Sequence, residues 1–307
     1  MVMSGAELGP LHGVPIAVKD MEETAGIRTT FGSLLFEDHV PNTDSLLVKR
    51  IRDAGALILG KTNTPEFAQS GTTENRLLDA CRNPWDITRT SGGSSGGSAA
   101  ALASGLCALA TGSDAGGSIR IPASFCGVYG IKPTLGRVPA LEAVARPAPN
   151  HTNQSGPMST TVKDSAILLQ VLAGPDDRDV TALRQQPPDY LTDLQGGVED
   201  LRIAWSPDLG YASVDAEVIN IAYESAKVFE KLGAIVEEPD IKIIEPYDLE
   251  TPIASTIFYV QYSHLLQDHS SKLTDYVRDY LEKSTRITAS DYARSLHILE
   301  QLQFQIS

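Results

Sequence analysis

The sequence predicts an α/β fold with helices on both faces of a sheet. Three observations carry that prediction. Short apolar runs at residues 14–18, 56–59 and 106–111 have the length of buried strands. Stretches with helical apolar spacing fall between and after them. The two kinds of segment alternate along the chain, which is how helices come to pack on a sheet.

The elements follow in order. Residues 14–18 read as a buried strand that delivers Lys19 at its end. Residues 43–54 read as a helix, with Leu46, Leu47, Arg50, Ile51 and Ala54 on one face. Thr43 or Asp44 is the expected cap, and Gly55 the stop. Residues 56–59 form the next strand, and 98–106 an alanine-rich helix followed by the apolar run 106–111. Residues 162–173 are amphipathic, with Ile167, Leu168, Val171 and Leu172 inward. The polar segment 184–199, with Pro187 and Pro188, reads as a surface connection. A strand at 201–205, a helix at 216–232 ended by Gly233, and a strand at Ile235–Glu237 follow. The last predicted helix is 290–304. No internal repeat is present, and the 307 residues are read as one domain.

Composition narrows the function. With 42% hydrophobic residues the chain can bury a sizeable core. Its 25 Lys and Arg against 39 Asp and Glu give a net charge of −14. Such a surface repels phosphate backbones and anionic lipid, so no nucleic-acid or membrane partner is expected. Cys81, Cys107 and Cys126 have no paired spacing and are expected to be small buried hydrophobes. No charged-then-apolar leader and no bilayer-length apolar run is read, so the expected location is cytoplasmic.

The most informative segment is a pair of glycine-dense runs. Gly92-Gly93-Ser94-Ser95-Gly96-Gly97-Ser98 is followed by Gly112-Ser113-Asp114-Ala115-Gly116-Gly117-Ser118-Ile119-Arg120. Ser94 and Ser118 are 24 residues apart. A flexible linker has this composition too. A linker would not run into an alanine helix, nor precede Ile119, Ile121, Pro122, Phe125 and Val128, which read as packed structure. Glycines beside a serine let backbone N–H groups approach a ligand, which suits acyl transfer.

These runs resemble the amidase signature family. So do Gly13-Val14-Pro15-Ile16-Ala17-Val18-Lys19-Asp20 upstream and Phe125-Cys126-Gly127-Val128-Tyr129-Gly130-Ile131-Lys132-Pro133-Thr134 downstream. Residues 60–67 and 82–86 resemble that family's connectors, and Gly156-Pro157-Met158 with Thr161, Val162 and Asp164 a later landmark. The resemblance spans about residues 9–179 in many ordered motifs. It implies a mixed central β-sheet covered on both faces by helices. It also implies a longer body, so the chain is expected to be truncated at both ends.

The resemblance assigns roles residue by residue. Ser118 matches the nucleophile. Ser94 matches the bridging serine, whose peptide bond is cis in that family. Lys19 matches the general base, and the amides of Ala115, Gly116, Gly117 and Ser118 match the oxyanion hole. The physics is coherent, because a serine hydroxyl needs a base near pH 7. Lysine serves only when neutral, and burial lowers its reference pKa of about 10.4 by as much as ~3–5 units. Ser95 is expected to be structural, and Asp114 and Arg120 to form structural hydrogen bonds or an ion pair. His151 is either a pocket-lining residue or an ordinary loop histidine. Neither metal nor cofactor is expected, since none of the six histidines has metal-ligand spacing.

Three other motifs fail on context. Residues 55–62 satisfy the P-loop pattern by letter, but its middle residues read as a strand, not as a phosphate-cradling loop. Gly92-x-Ser94-x-Gly96 satisfies the nucleophile-elbow pattern, with His264, His269 or His297 as later partners. Residues 87–90 are a poor buried strand to precede an elbow. The Ser-x-x-Lys motif of β-lactamases is absent. The expected function is therefore hydrolysis of a small-molecule amide through an acyl-enzyme. The alternatives are the glutaminase component of a tRNA-dependent amidotransferase, which would need partner chains, and an inactive amidase fragment. The oligomeric state is left open, with a homodimer admitted.

Overall fold

The computed structural model describes residues 8–140 and 152–306. The chain divides into two compact units, Met1–Asp193 with Gln261–Tyr280, and Leu194–Val260 with Leu281–Ser307.

The first unit is built on a five-stranded mixed sheet. Its strands are β1 (Pro15–Lys19), β2 (Leu57–Thr62), β5 (Leu109–Asp114), β6 (Tyr129–Gly130) and β7 (Gln154–Ser159), in the order β2-β1-β5-β7-β6. β1 runs parallel to both β2 and β5, whereas β7 is antiparallel to β5 and β6. A separate hairpin pairs β3 (Arg82–Asn83) with β4 (Asp86–Thr90).

Two apolar layers sandwich this sheet. On one side Ile16, Val18 and Leu109 pack with Leu47, Val48 and Ile51 of α1 (Leu46–Asp53) and Leu168, Leu169 and Leu172 of α4 (Val162–Leu172). On the other, Ala17, Ala110 and Met158 pack with Ala99 and Leu102 of α2 (Gly96–Ala103) and Ala123 and Cys126 of α3 (Arg120–Cys126). The strand period of two sends Ile16 and Val18 to one layer and Ala17 to the other. Small residues on the α2 side let that helix lie close to the strands, and the loop before it reaches the strand ends.

The local chemistry refines the expected boundaries. α1 is capped by Ser45, whose Oγ accepts from the Val48 amide at 3.3 Å. Asp44 is engaged elsewhere, accepting from the Ala25 amide at 2.7 Å and pairing with Arg52 at 3.0 Å. β2 extends beyond residue 59 because Lys61 and Thr62 continue the parallel register with Val18 and Lys19. The span from Leu57 to Thr62 is therefore strand and offers no phosphate-binding loop. β4 is exposed except at its last residue, so no buried strand precedes Ser94. Phe125 departs from the packed reading, being 51% exposed, while Ile119 is fully buried. Cys107 and Cys126 are buried and Cys81 half-buried, all as free thiols. Burial pushes the Cys126 thiol up to about 11.

A short helix, α5 (Tyr190–Asp193), interrupts the otherwise irregular segment before the second unit. In that unit β8 (Arg202–Ala204) and β9 (Ile235–Glu237) pair in parallel through the crossover helix α6 (Ala216–Lys231). Asp215 caps α6 through the Glu217 amide at 2.8 Å. Among the described residues four further α-helices follow: α7 (Tyr247–Tyr262), α8 (His264–His269), α9 (Asp275–Ser284) and α10 (Ala289–Ile306). Among the described residues no helix is long and apolar enough to cross a membrane.

Candidate active site

Three chain segments converge at the C-terminal ends of β1 and β5. Lys19 is the last residue of β1 and is only 1% exposed. Its amide donates to Thr111 Oγ1 on β5 at 2.9 Å. Its Nζ donates to Ser94 Oγ at 2.7 Å and to Ser113 Oγ at 2.9 Å. Burial pulls the Lys19 amine down to about 7, against the opposing charges of Glu22 and Asp114. A lysine in that range is largely uncharged just above neutral pH.

Ser94 is also 1% exposed and follows a cis peptide bond from Gly93. Among the described residues its hydroxyl is hydrogen-bonded to no side chain but Lys19. Neither His264, His269 nor His297 takes part. Ser95 beside it is structural. Its hydroxyl donates to the Ser113 carbonyl at 3.4 Å and accepts from the Ser113 amide at 3.3 Å. The loop is held tightly against its neighbours. The Gly97 amide donates to the Asn63 carbonyl at 3.2 Å, and a Cβ at Gly97 would lie 2.4 Å from the Asn63 nitrogen.

Ser118 sits half-buried in the turn between β5 and α3. The Ser95 amide donates to the Ser118 carbonyl at 3.1 Å, lacing the two serine loops together. Asp114, fully buried at the end of β5, organises this turn. Its carboxylate accepts from the amides of Gly117 at 2.7 Å, Ile119 at 3.1 Å and Arg120 at 3.3 Å. Arg120 adds a bidentate pair, Nε and Nη2 each at 2.9 Å. Burial alone would raise this carboxyl. The Arg120 hydrogen bonds and charge, with the two amides, outweigh burial and hold its pKa below the usual value. Asp114 and Arg120 thus form the expected ion pair, and its place is under the turn.

This arrangement engages one of the expected oxyanion donors. The Gly117 amide is committed to Asp114, because the carboxylate closes the turn on that N–H. The amides of Ala115, Gly116 and Ser118 have no protein acceptor among the described residues. Ala115 and Gly116 are exposed and Ser118 half-buried. Gly117 itself is required by its backbone, at φ +124°.

Ser113 was not singled out by sequence. Its signal is the strand period: Thr111 and Ser113 are two residues apart on β5, and both hydroxyls hold Lys19. His151 lies outside the described residues. Among the described residues no group of three or more His, Cys, Asp or Glu is placed to hold a metal ion.

The family model for amidases matches residues 2–304. The acylamidase of Rhodococcus erythropolis is 38% identical over 294 residues, 95% of this chain and 61% of that protein. The A chain of the glutamyl-tRNA(Gln) amidotransferase of Alkaliphilus metalliredigens is 45% identical over 242 residues, 78% of this chain and 49% of that one. The crystal structure of a bacterial aryl acylamidase of the amidase signature family superposes with a TM-score of 0.90 at 30% identity. That superposition covers 97% of this chain and 64% of that structure. The chain thus spans about half to two thirds of the length of the proteins it matches.

Proposed function

Given that the chain belongs to the amidase signature family, we propose that it hydrolyses a carboxylic amide through an acyl-enzyme on Ser118. Neutral Lys19 draws the proton of Ser94 as Ser94 Oγ takes the proton of Ser118. Ser118 Oγ bonds to the amide carbon, and the carbonyl electrons move onto oxygen. The amides of Ala115, Gly116 and Ser118 stabilise that oxyanion, with one such donor worth about 3–4 kcal/mol. The C–N bond then breaks. Ser94 gives its proton to the departing nitrogen and regains one from Lys19. Water attacks the resulting ester by the same relay, releasing the carboxylate and restoring Ser118. Side chains and backbone amides supply every group this sequence needs.

The observation that carries the proposal is the buried 2.7 Å contact between Lys19 and Ser94, with the amine at about 7. It supplies a base where none would be expected of an exposed lysine. The test is labelling with a fluorophosphonate, followed by peptide mass spectrometry. An adduct on Ser118 supports the assignment. An adduct on Ser94 or Ser95 with Ser118 unmodified overturns it, and an unreactive protein favours the inactive reading.

The glutaminase reading is favoured by the 45% identity to an amidotransferase component. The amidase reading is favoured by the acylamidase alignment, which extends over 95% of the chain. Ammonia release from free glutamine against turnover of simple aliphatic and aryl amides separates the two. The first reading takes a small-molecule amide. The second also needs partner chains.

A further inference from the structure

Glu22 lies three residues beyond Lys19, and its amide donates to the Lys19 carbonyl at 3.1 Å. Its carboxylate is held from two directions. Oε2 accepts from Ser45 Oγ, the cap of α1, at 2.8 Å. Oε1 accepts from Ser155 Oγ on β7 at 3.1 Å. Ser155 is the register partner of Ser113, whose hydroxyl holds the Lys19 amine. The fixed carboxylate therefore stands beside the base, and the relay above does not use it.

We propose that Glu22 is a positioning residue for Lys19, a fixed negative charge that stabilises the ammonium form and sets the pH at which the base becomes available. The inference rests on the reading of Lys19 as base. The surrounding charges leave Glu22 in this role. Asp114 at the end of β5 is bound bidentate by Arg120, whose charge opposes its own. Lys61 on β2 pairs with Asp20 at 3.6 Å. The segments of α2 and β7 that pack here carry no ionisable side chain. Lys61 Nζ also donates to the Glu22 carbonyl and lies within the field of its charge, but forms no ion pair with the Glu22 carboxylate. Of the two anions opposing the fall of the Lys19 pKa, Glu22 has the larger effect.

The sign follows directly. Without Glu22 the ammonium form loses a stabilising neighbour, and Lys19 gives up its proton at lower pH. The test is the rate of fluorophosphonate inactivation against pH, which reads activation of Ser118 without needing the natural substrate. In Glu22→Gln the acid limb should move down by about one pH unit. Glu22→Asp should return it toward the parent position, which a merely structural role would not do. Glu22→Leu, neutral and needing no hydrogen-bond partner, gives a second reading should the glutamine variant fold poorly. A limb unmoved in the neutral variants, with Lys19→Ala unreactive, overturns the role of Glu22 and leaves the base intact. Persistent labelling in Lys19→Ala overturns the base itself.

Discussion

Lys19 Nζ meets Ser94 Oγ at 2.7 Å, and both residues are 1% exposed. The pair comes from opposite kinds of segment, the end of a buried strand and a glycine-rich loop. An ammonium group removed from water is costly, and neutrality is the cheaper state. The same burial that disfavours the charge makes the amine a base at ordinary pH. Ser113 supplies a second partner at 2.9 Å, which fixes the amine's direction.

The first prediction concerns the nucleophile. Ser118→Ala should lower kcat by about 10⁴-fold or more, because the relay then has no oxygen to activate. Steady-state assay on an aryl amide reads this directly. Retention of most activity would remove Ser118 from the mechanism.

The second concerns pH and rate. Lys19 titrates at about 7, so kcat/KM should fall as pH drops through that value and the amine takes up a proton. Lys19→Ala should abolish the reaction, whereas alanine at His264, His269 or His297 should leave it intact. A histidine variant as impaired as Lys19→Ala would contradict the relay.

The third concerns pH and stability. The Lys19 pKa is depressed in the folded state, so the unfolded chain binds the extra proton between about 7 and the ordinary value of 10.5. Stability contributed by this site should therefore rise with pH across that window, and fall away as pH drops toward 7. Lys19→Met should flatten that slope in urea titrations at several pH values. An identical slope in both proteins would show that Lys19 is not held neutral.

A fourth concerns Asp114, which ties three amides and Arg120 together. Asp114→Ala should cost about 3 kcal/mol, since the buried amides lose their acceptor while half-exposed Arg120 turns to water. The folded-state pKa of Asp114 is depressed, so its contribution is present above the usual carboxylate value and is lost as pH falls through the folded one. Acid unfolding of the variant should be correspondingly shallower. Denaturant titration at neutral and acid pH tests both statements.

A fifth concerns close approach. At Gly97 an added Cβ would fall 2.4 Å from the Asn63 nitrogen and 2.5 Å from its carbonyl oxygen, both backbone atoms. Gly97→Ala should destabilise the protein by about 2–3 kcal/mol and depress activity with it. A variant of parent stability would mean that the Asn63 segment gives way freely.

Sequence alone determined the elements whose residues carry their own signal. The apolar run before Lys19 gave β1, the run 106–111 gave the first half of β5, whose strand continues to Asp114, and alanines after a glycine turn gave α2. Lys19, Ser94 and Ser118 were singled out by the resemblance to the amidase signature family, since residue types and spacing by themselves do not separate Ser94 from Ser95. Only the tertiary structure decided the rest. β7 is Gln-Ser-Gly-Pro-Met-Ser, with neither strand alternation nor β-branched residues. It is a strand because β5 and β6 pair with it on both sides. The helices at Tyr247–Tyr262, His264–His269 and Asp275–Ser284 went unread, although the last carries a clear helical apolar period of its own. Ser113 as a partner of Lys19, Glu22 beside it, and the capture of the Gly117 amide by Asp114 link residues far apart or reverse a local expectation. A hydrogen bond depends on where two atoms meet in space, and residue types in sequence fix only which atoms are available to meet.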